Sequence, residues 1–162
     1  MVLVVLFAAA VAAAWWFTTQ RTKKTVGESV TVYYTKADGT TLVPWQVSLG
    51  PARDRDSVIF YAATQCVAGP PPGTEAVRFP PGTHVRAVDV QGSTADVDIS
   101  KDIASSAEGG FAESAEFKAL VWTLTQPKLG IDAVKVRIQG ARVATLPGGH
   151  LDLGEPLSRS SF

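Results

Sequence analysis

The strongest alternation of apolar and polar residues along the chain runs from His84 to Ser100 and predicts a β-hairpin. On its second arm, the residues from Thr94 to Ile99 switch between polar and apolar at every step, which is the period of a strand with one buried face. The dipeptide Gly92-Ser93 divides the arms, and glycine in first position suits a type II′ turn because that position needs a positive φ angle. The segment therefore predicts two antiparallel strands joined by a tight turn.

The turn also predicts how the two arms pair. Counting outward from it gives three opposed pairs, which are Val90 with Ala95, Val88 with Val97, and Arg86 with Ile99. On the reverse face, Asp89 then lies opposite Asp96, with Asp98 two residues along. Directly opposed like charges destabilise a sheet mildly, so we expect this face to lie in water or to hold a cationic partner.

Further periodic segments complete the order of elements. Strand-type alternation recurs at residues 30–35, 43–49, 134–139 and 141–146, and helix-type spacing recurs from Asp54 or Asp56 to Val67 and from Ser114 to Thr125. Pro44 has no N–H to donate, so the second strand is predicted to be irregular or at a sheet edge. The order ββ-α-ββ-α-ββ predicts an α+β fold in which two helices pack on one face of a small antiparallel or mixed sheet.

The connecting segments are rich in Gly, Pro and Ser. Residues 68–82 are predicted to form a surface connection, because so many prolines and polar residues do not suit a core. Residues 101–110 are predicted to be a mobile loop, and the segment from Pro147 to the C-terminus a flexible polar tail.

The N-terminal segment differs in composition from the rest of the chain. Residues 2–17 contain no charged side chain and end near Trp15 and Trp16, and aromatic residues of this kind mark membrane interfaces. We expect residues 1–18 to be a membrane anchor or a signal segment, 19–29 a tether, and 30–162 one folded domain. The basic residues of the tether follow the apolar segment, an order that favours a cytoplasmic domain by the positive-inside rule alone.

Composition narrows the classes of function. The chain has 15 basic and 15 acidic residues, so it lacks the basic excess that holds nucleic acid. Hydrophobic residues make up 46% and charged residues 19% of the chain, which is typical of a globular domain with an apolar end. The one cysteine, Cys66, excludes a disulfide within the chain, and its apolar helical surroundings predict a buried, unreactive thiol.

Few residue patterns indicate catalysis or metal binding. His84 and His150 are far apart in the chain, and neither has ligands at zinc-type spacing. His150, Asp152 and Glu155 could hold a metal ion, but a flexible polar tail explains them better. No nucleophile elbow and no phosphate-binding glycine loop is present. We therefore expect a protein that is not an enzyme, with no catalytic residues, no cofactor and no metal.

The outer face of the predicted sheet is the better candidate for function. Its charged residues are predicted to form an interaction surface, namely Asp89, Asp96, Asp98, Lys135 and Arg137. The carboxylates could bind Ca²⁺, yet flat strands rarely supply about six to eight oxygen ligands, so a solvated face is favoured, and contact with a partner or a second copy is its more specific form. Alternatively, Tyr33, Trp45 and Phe79 could stack on the sugars of the cell wall.

Five segments in this order carry a family resemblance: VTVYYTKADGTTLVP at 30–44, AGPPPGTEAVRFPPGTHV at 68–85, VDIS at 97–100, TLTQPKLGIDAVKVRIQG at 123–140, and GGHLDLGEPLSR at 148–159. Together they resemble the GerMN (Germane) domain of sporulation and germination proteins over residues 30–162. The chain departs from the usual form at Pro71 and Pro72, which lengthen a turn, and in its ending SRSSF.

The resemblance implies an extracytoplasmic domain near the bacterial cell membrane, with a fold similar to the ring-building motif of sporulation channel proteins. It implies no catalytic residues, since the family has none known. The leading hypothesis is a membrane-tethered binding or assembly domain linked to sporulation or germination, whose partner is an envelope protein or a second copy. The alternative is a peptidoglycan-binding module that assists cell-wall remodelling.

Overall fold

A computed structural model of the chain describes residues 29–49, 54–105 and 110–162. The predicted membrane segment at 1–18 and, apart from Ser29, the tether at 19–29 lie outside the described residues. None of the helices in the described ranges combines the length and the hydropathy that a membrane crossing needs.

The described elements follow the predicted order of strands and helices. They are β1 (Ser29–Thr35), β2 (Leu42–Ser48), α1 (Arg55–Ala68), β3 (Val85–Gln91), β4 (Thr94–Ile99), α2 (Gly110–Leu124), β5 (Ala133–Ile138) and β6 (Ala141–Arg142). Short 3₁₀ turns occupy Lys101–Ser105, Pro127–Leu129 and Arg159–Ser161. The α+β class and the order ββ-α-ββ-α-ββ are confirmed.

The strands form two sheets, not the single sheet that the sequence predicts. β1 and β2 pair only with each other, whereas the other strands form a sheet in the order β3-β4-β5-β6. In this larger sheet β4 and β5 run parallel, while the remaining neighbours are antiparallel. Helix α1 packs against β1, β3 and α2, and α2 packs against β1, so the helices connect both sheets through one hydrophobic core.

The separation of the sheets follows from the edge of β1. Tyr33 lies opposite Pro44 of β2, and because proline has no N–H, the N–H of Tyr33 points away from β2. It donates to Thr123 Oγ1 at 2.9 Å, and Gln126 Nε2 donates to the carbonyl of Thr31 at 2.6 Å. Thr123 on α2 and Gln126, just after the helix, thus bond the edge of β1 where a neighbouring strand would otherwise pair. The prediction that Pro44 lies on an edge strand is confirmed.

The hairpin register is right near the turn and wrong at its open end. Gly92 has a φ of 62°, and Val90 and Val88 face Ala95 and Val97 as predicted. Beyond them a β-bulge intervenes, so that Val85, not Arg86, lies opposite Ile99. The extra residue bends the strand and turns the Arg86 side chain toward the outer face.

The helix starts were predicted with unequal success. Asp54 caps α1 as expected, with its carboxylate accepting the N–H of Ser57 at 3.0 Å. Helix α2 begins at Gly110 and not after Ser114, because Ala112 and Ala115 are buried and extend the apolar stripe upstream. The predicted mobile loop at 101–110 is part structured: Lys101–Ser105 is a 3₁₀ turn, and residues 106–109 lie outside the described ranges.

The predicted flexible tail is instead packed against the domain. Leu153 and Leu157 are 3% exposed, and Leu157 exchanges two backbone hydrogen bonds of 2.8 Å with Val134 on β5. Glu113 of α2 accepts the N–H of His150 at 2.9 Å. Leucines spaced along a Gly-rich segment therefore anchor it by burial, a signal that composition alone obscures.

Candidate functional site

The five predicted surface residues lie on adjacent strands of the larger sheet. In the register of β3, β4 and β5, Asp89 faces Asp96, which faces Lys135, and Asp98 faces Arg137 on the next row. The intervening positions Ala95, Val97 and Ile99 are fully buried, so alternation turns the charged residues to the opposite side. This outer face comprises Asp89, Asp96, Asp98, Lys135, Arg137 and, in addition, Arg86.

Arg137 resolves the repulsion between the two carboxylates that face each other. Its Nε lies 2.7 Å from Asp96 Oδ1, and its Nη2 lies 3.8 Å from Asp89 Oδ2. The hydrogen bond to Asp96 is the main cause that raises the pKa of Arg137. A cationic partner for the opposed carboxylates is thus supplied from β5, which is one of the two outcomes that the hairpin pattern predicts.

Asp98 is held separately, by a residue that the sequence analysis missed. Arg86 Nη1 lies 2.7 Å from Asp98 Oδ2, and the N–H of Gly140 donates to Asp98 Oδ1 at 2.8 Å. These contacts connect β4 to β3 and to the turn after β5. Because the Asp98 side chain is 8% exposed, it offers little surface to a ligand. Arg86 could have been recognised as a candidate partner, because it is the one Lys or Arg on the first arm of the hairpin. The β-bulge that turns its side chain toward Asp98 cannot be predicted from the sequence.

The two ends of the outer face differ from its middle. The Asp89 side chain is 73% exposed and its contact with Arg137 is long. Lys135 is half-buried and forms no ion pair with any residue in the described ranges. Asp89 and Lys135 therefore remain available for charged or hydrogen-bonded contacts, while the central ion pairs fix the sheet beneath them. The arrangement suits recognition of a polar partner surface.

The residues considered for metal binding are spread over the surface. His84 Nδ1 lies 2.9 Å from the carbonyl of Gly82, and Asp152 accepts the N–H of Gly154 at 2.9 Å. Within the described ranges, no three His, Cys, Asp or Glu side chains approach closely enough to hold a metal ion. Neither the set His150, Asp152 and Glu155 nor the outer-face carboxylates form such a group.

Cys66 lies in the core, as the sequence predicts. Its thiol is 1% exposed and contacts the carbonyl of Tyr33 at 3.6 Å. Burial raises the pKa of Cys66 to about 12, which keeps the thiol protonated and poorly nucleophilic at neutral pH.

The aromatic residues considered for sugar stacking do not share a surface. Phe79 is 8% exposed and packs edge to face on Phe117, so its ring is not available to stack on a sugar. Trp45 is 44% exposed, but it pairs with Val32 while Tyr33 pairs with Pro44, which places Trp45 and Tyr33 on opposite faces of their sheet. The three rings form no stacking platform.

Comparison with known families gives a match over most of the domain. Residues 31–144 match the model of the Germane family, described as sporulation and spore germination. No curated protein matches the chain in sequence.

Solved structures share the fold. The tandem GerMN domains of the sporulation protein GerM from Bacillus subtilis are 27% identical, with a TM-score of 0.65 over 83% of this chain and 47% of that one. This chain therefore spans about half the length of the tandem structure. The first GerMN domain of GerM alone is 27% identical, with a TM-score of 0.63 over 82% of this chain and 98% of that one.

A third structure extends the fold beyond close relatives. A protein from Clostridium perfringens described as a lipoprotein is 18% identical, with a TM-score of 0.58 over 82% of this chain and 87% of that one. At this identity the similarity shows the fold alone.

Proposed function

The chain belongs to the Germane family of sporulation and spore-germination domains, and on that premise we propose that it is a non-enzymatic binding or assembly domain of the bacterial envelope. Residues 2–17 tether it to the membrane, and the domain from residue 30 onward lies outside the cytoplasm. Its partner is an envelope protein or a second copy of the chain, and its working surface is the outer face.

The observation that supports this proposal is that some charged residues of the outer face hold the strands together, while others remain available to a partner. Arg86–Asp98 and Arg137–Asp96 are short ion pairs that hold the strands, whereas Asp89 is 73% exposed and the half-buried Lys135 forms no ion pair in the described ranges. Accessible charges of opposite sign at a fixed spacing contribute to the association rate and to the alignment of two proteins more than to their affinity. A surface of this kind suits a weak or transient assembly contact.

The tether and location rest on separate support. Residues 2–17 are apolar throughout and end near Trp15 and Trp16, as a membrane segment with an interfacial aromatic residue would. Fractionation of cells, and treatment of intact protoplasts with external protease, test this part. We expect the full chain in the membrane fraction, and we expect the protease to degrade the domain while the protoplasts are still intact. Protection of the domain in intact protoplasts, with loss only after lysis, would place it in the cytoplasm and contradict the proposal.

Charge reversal tests the working surface. Lys135→Glu changes a residue without an ion pair in the described ranges, and Lys101→Glu is its matched control, since Lys101 is exposed in a 3₁₀ turn outside the sheet. Chemical crosslinking of the full chain in membranes should give a discrete larger species that Lys135→Glu weakens and Lys101→Glu leaves intact. A strict monomer in all three proteins, or equal loss with both variants, would end the proposal.

Sedimentation with purified sacculi separates the proposal from the alternative of peptidoglycan binding. Because Tyr33, Trp45 and Phe79 form no shared platform, we expect the protein to sediment no more than an unrelated control protein. Sedimentation well above that control would favour the peptidoglycan-binding module.

A further inference from the structure

Several exposed backbone edges in the described part of the chain are closed by specific residues. On β1, Thr123 and Gln126 bond the outward groups, and the carbonyl of Thr35 accepts the N–H of Val77 at 2.8 Å. On β2, Pro44 removes one of the outward donors. Closing edges in this way prevents unwanted strand pairing.

The outer edge of β3 between Val88 and Gln91 is open and lies beside an exposed carboxylate, that of Asp89. The carbonyls of Ser93 and Ile99, at either end of β4, bond toward β5, so the even-numbered residues of β4 bond toward β3. Their partners on β3 are Gln91 and Asp89, which leaves the N–H and C=O groups of Val88 and Val90 pointing away from the sheet. In the described ranges no hydrogen bond reaches these four groups.

We propose that this edge is a docking site for an extended segment of a partner protein, which adds a strand to the sheet with a Lys or Arg side chain opposite Asp89. This inference rests on the proposed function and names its mode of contact. Two donors and two acceptors in line give affinity to any extended chain. The Asp89 side chain, 73% exposed beside them, supplies the charge preference.

The same geometry disfavours a second copy as the occupant. Antiparallel pairing of two β3 strands that uses both Val88 and Val90 sets Val88 opposite the Val90 of the other copy. Asp89 then lies directly opposite the other Asp89, and like charges in that position destabilise the pair. A partner segment with a basic residue at that place forms the opposite-charge pair instead.

Peptide binding to the full chain in detergent micelles tests the site. The probes are the blocked heptapeptide Thr-Val-Lys-Val-Thr-Val-Thr and its twin with Glu in place of Lys. We expect the Lys peptide to slow amide exchange at Val88 and Val90, to bind about fivefold more tightly than the Glu peptide, and to lose that preference in Asp89→Lys. Equal affinities, or no slowing of exchange at Val88 and Val90, would overturn the proposal.

A matched pair of variants keeps the test independent of folding. Val90→Pro removes the outward N–H without touching a bond to β4, whereas Val90→Thr keeps both the N–H and the branched shape. Peptide binding should vanish in Val90→Pro and persist in Val90→Thr, with unfolding midpoints of both close to that of the parent protein. If Val90→Pro fails to fold, the loss of the Lys preference in Asp89→Lys is the deciding test of the site. Amide exchange at Val88 that slows when only the protein concentration is raised would show pairing between copies and contradict the choice of partner.

The two proposals fail in different ways. If Val90→Pro abolishes peptide binding but leaves the crosslinked envelope species intact, the edge is not the contact used in the envelope. If the parent chain forms no crosslinked species at all, the envelope function fails irrespective of the peptides.

Discussion

Arg86 and Asp98 form an ion pair of 2.7 Å across a β-bulge, although a regular hairpin would set Arg86 opposite Ile99. Because of the bulge, the Arg86 side chain contacts the carboxylate of Asp98 and does not face the apolar side chain of Ile99. Because the Asp98 side chain is 8% exposed, it depends on this contact and on the N–H of Gly140.

Replacement of Arg86 by Ala should destabilise the fold. Asp98 would keep one hydrogen bond and lose its counter-charge, and the loss of a hydrogen bond to a charged group costs about 1.5–3 kcal/mol. The Arg86 side chain is 39% exposed, so we expect the lower end of this range. Urea unfolding measures it, with Lys135→Ala as a control that should stay within about 0.5 kcal/mol of the parent. Equal stability of both variants would show that the pair contributes nothing.

Thr123→Val should reveal how the edge of β1 is closed. Valine keeps the shape of threonine but cannot accept the N–H of Tyr33, and an unpaired buried donor costs about 1–3 kcal/mol. Thr64→Val on α1 is the matched control, because Thr64 bonds only the carbonyl of Phe60 in its own helix. Urea unfolding should separate the two variants, and a Thr64→Val loss as large as that of Thr123→Val would contradict this account of the edge.

Leu157→Ala should show that the C-terminal segment belongs to the folded domain. Removal of a buried leucine side chain costs about 2–5 kcal/mol, and Leu157 is 3% exposed. We also expect faster amide exchange at Val134, whose N–H donates to Leu157 at 2.8 Å. A stability loss without faster exchange at Val134 would mean that the strand contact does not depend on the side chain.

Alkaline pH should weaken the fold through two buried acids. Burial raises the pKa of Cys66 from 9.0 to about 12 and that of Tyr34 from 10.0 to about 12. In the unfolded chain they ionise at the lower values, so between those pH values the unfolded state loses protons that the folded state keeps. Stability must therefore fall as pH rises across this window.

Urea midpoints measured across this alkaline window test the expectation. Cys66→Ala should flatten the first part of the decline, and Tyr34→Phe the later part, because each removes one of the two titrations. A decline that keeps the slope of the parent protein in both variants would assign it to other groups.

The sequence predicted the pairing near Gly92 because local turn chemistry and alternation act together over a few residues. It did not predict the bulge at Arg86, since nothing local distinguishes a bulged residue from its neighbours. The split into two sheets also escaped, because it depends on Thr123 meeting Tyr33, residues that only tertiary packing brings together.

The candidate surface was also predicted only in part from local sequence patterns. Strand alternation was enough to place Asp89, Asp96, Asp98, Lys135 and Arg137 on one face. Alternation cannot tell which of them are exposed: Asp98 is buried by its partners, whereas Asp89 is not. That distinction depends on the bulge that brings Arg86 to Asp98 and on the β4–β5 register that brings Gly140 to it.

The central claim is that the outer face, and not another part of the surface, meets an envelope partner. A photoreactive residue placed at Lys135 in the full chain within intact cells tests it most directly, with the same residue at Asp152 on the exposed C-terminal segment as the reference. The account predicts a discrete crosslink from position 135 that Asp89→Lys weakens, and none from position 152. A crosslink from position 152 alone, or none from position 135, would contradict it.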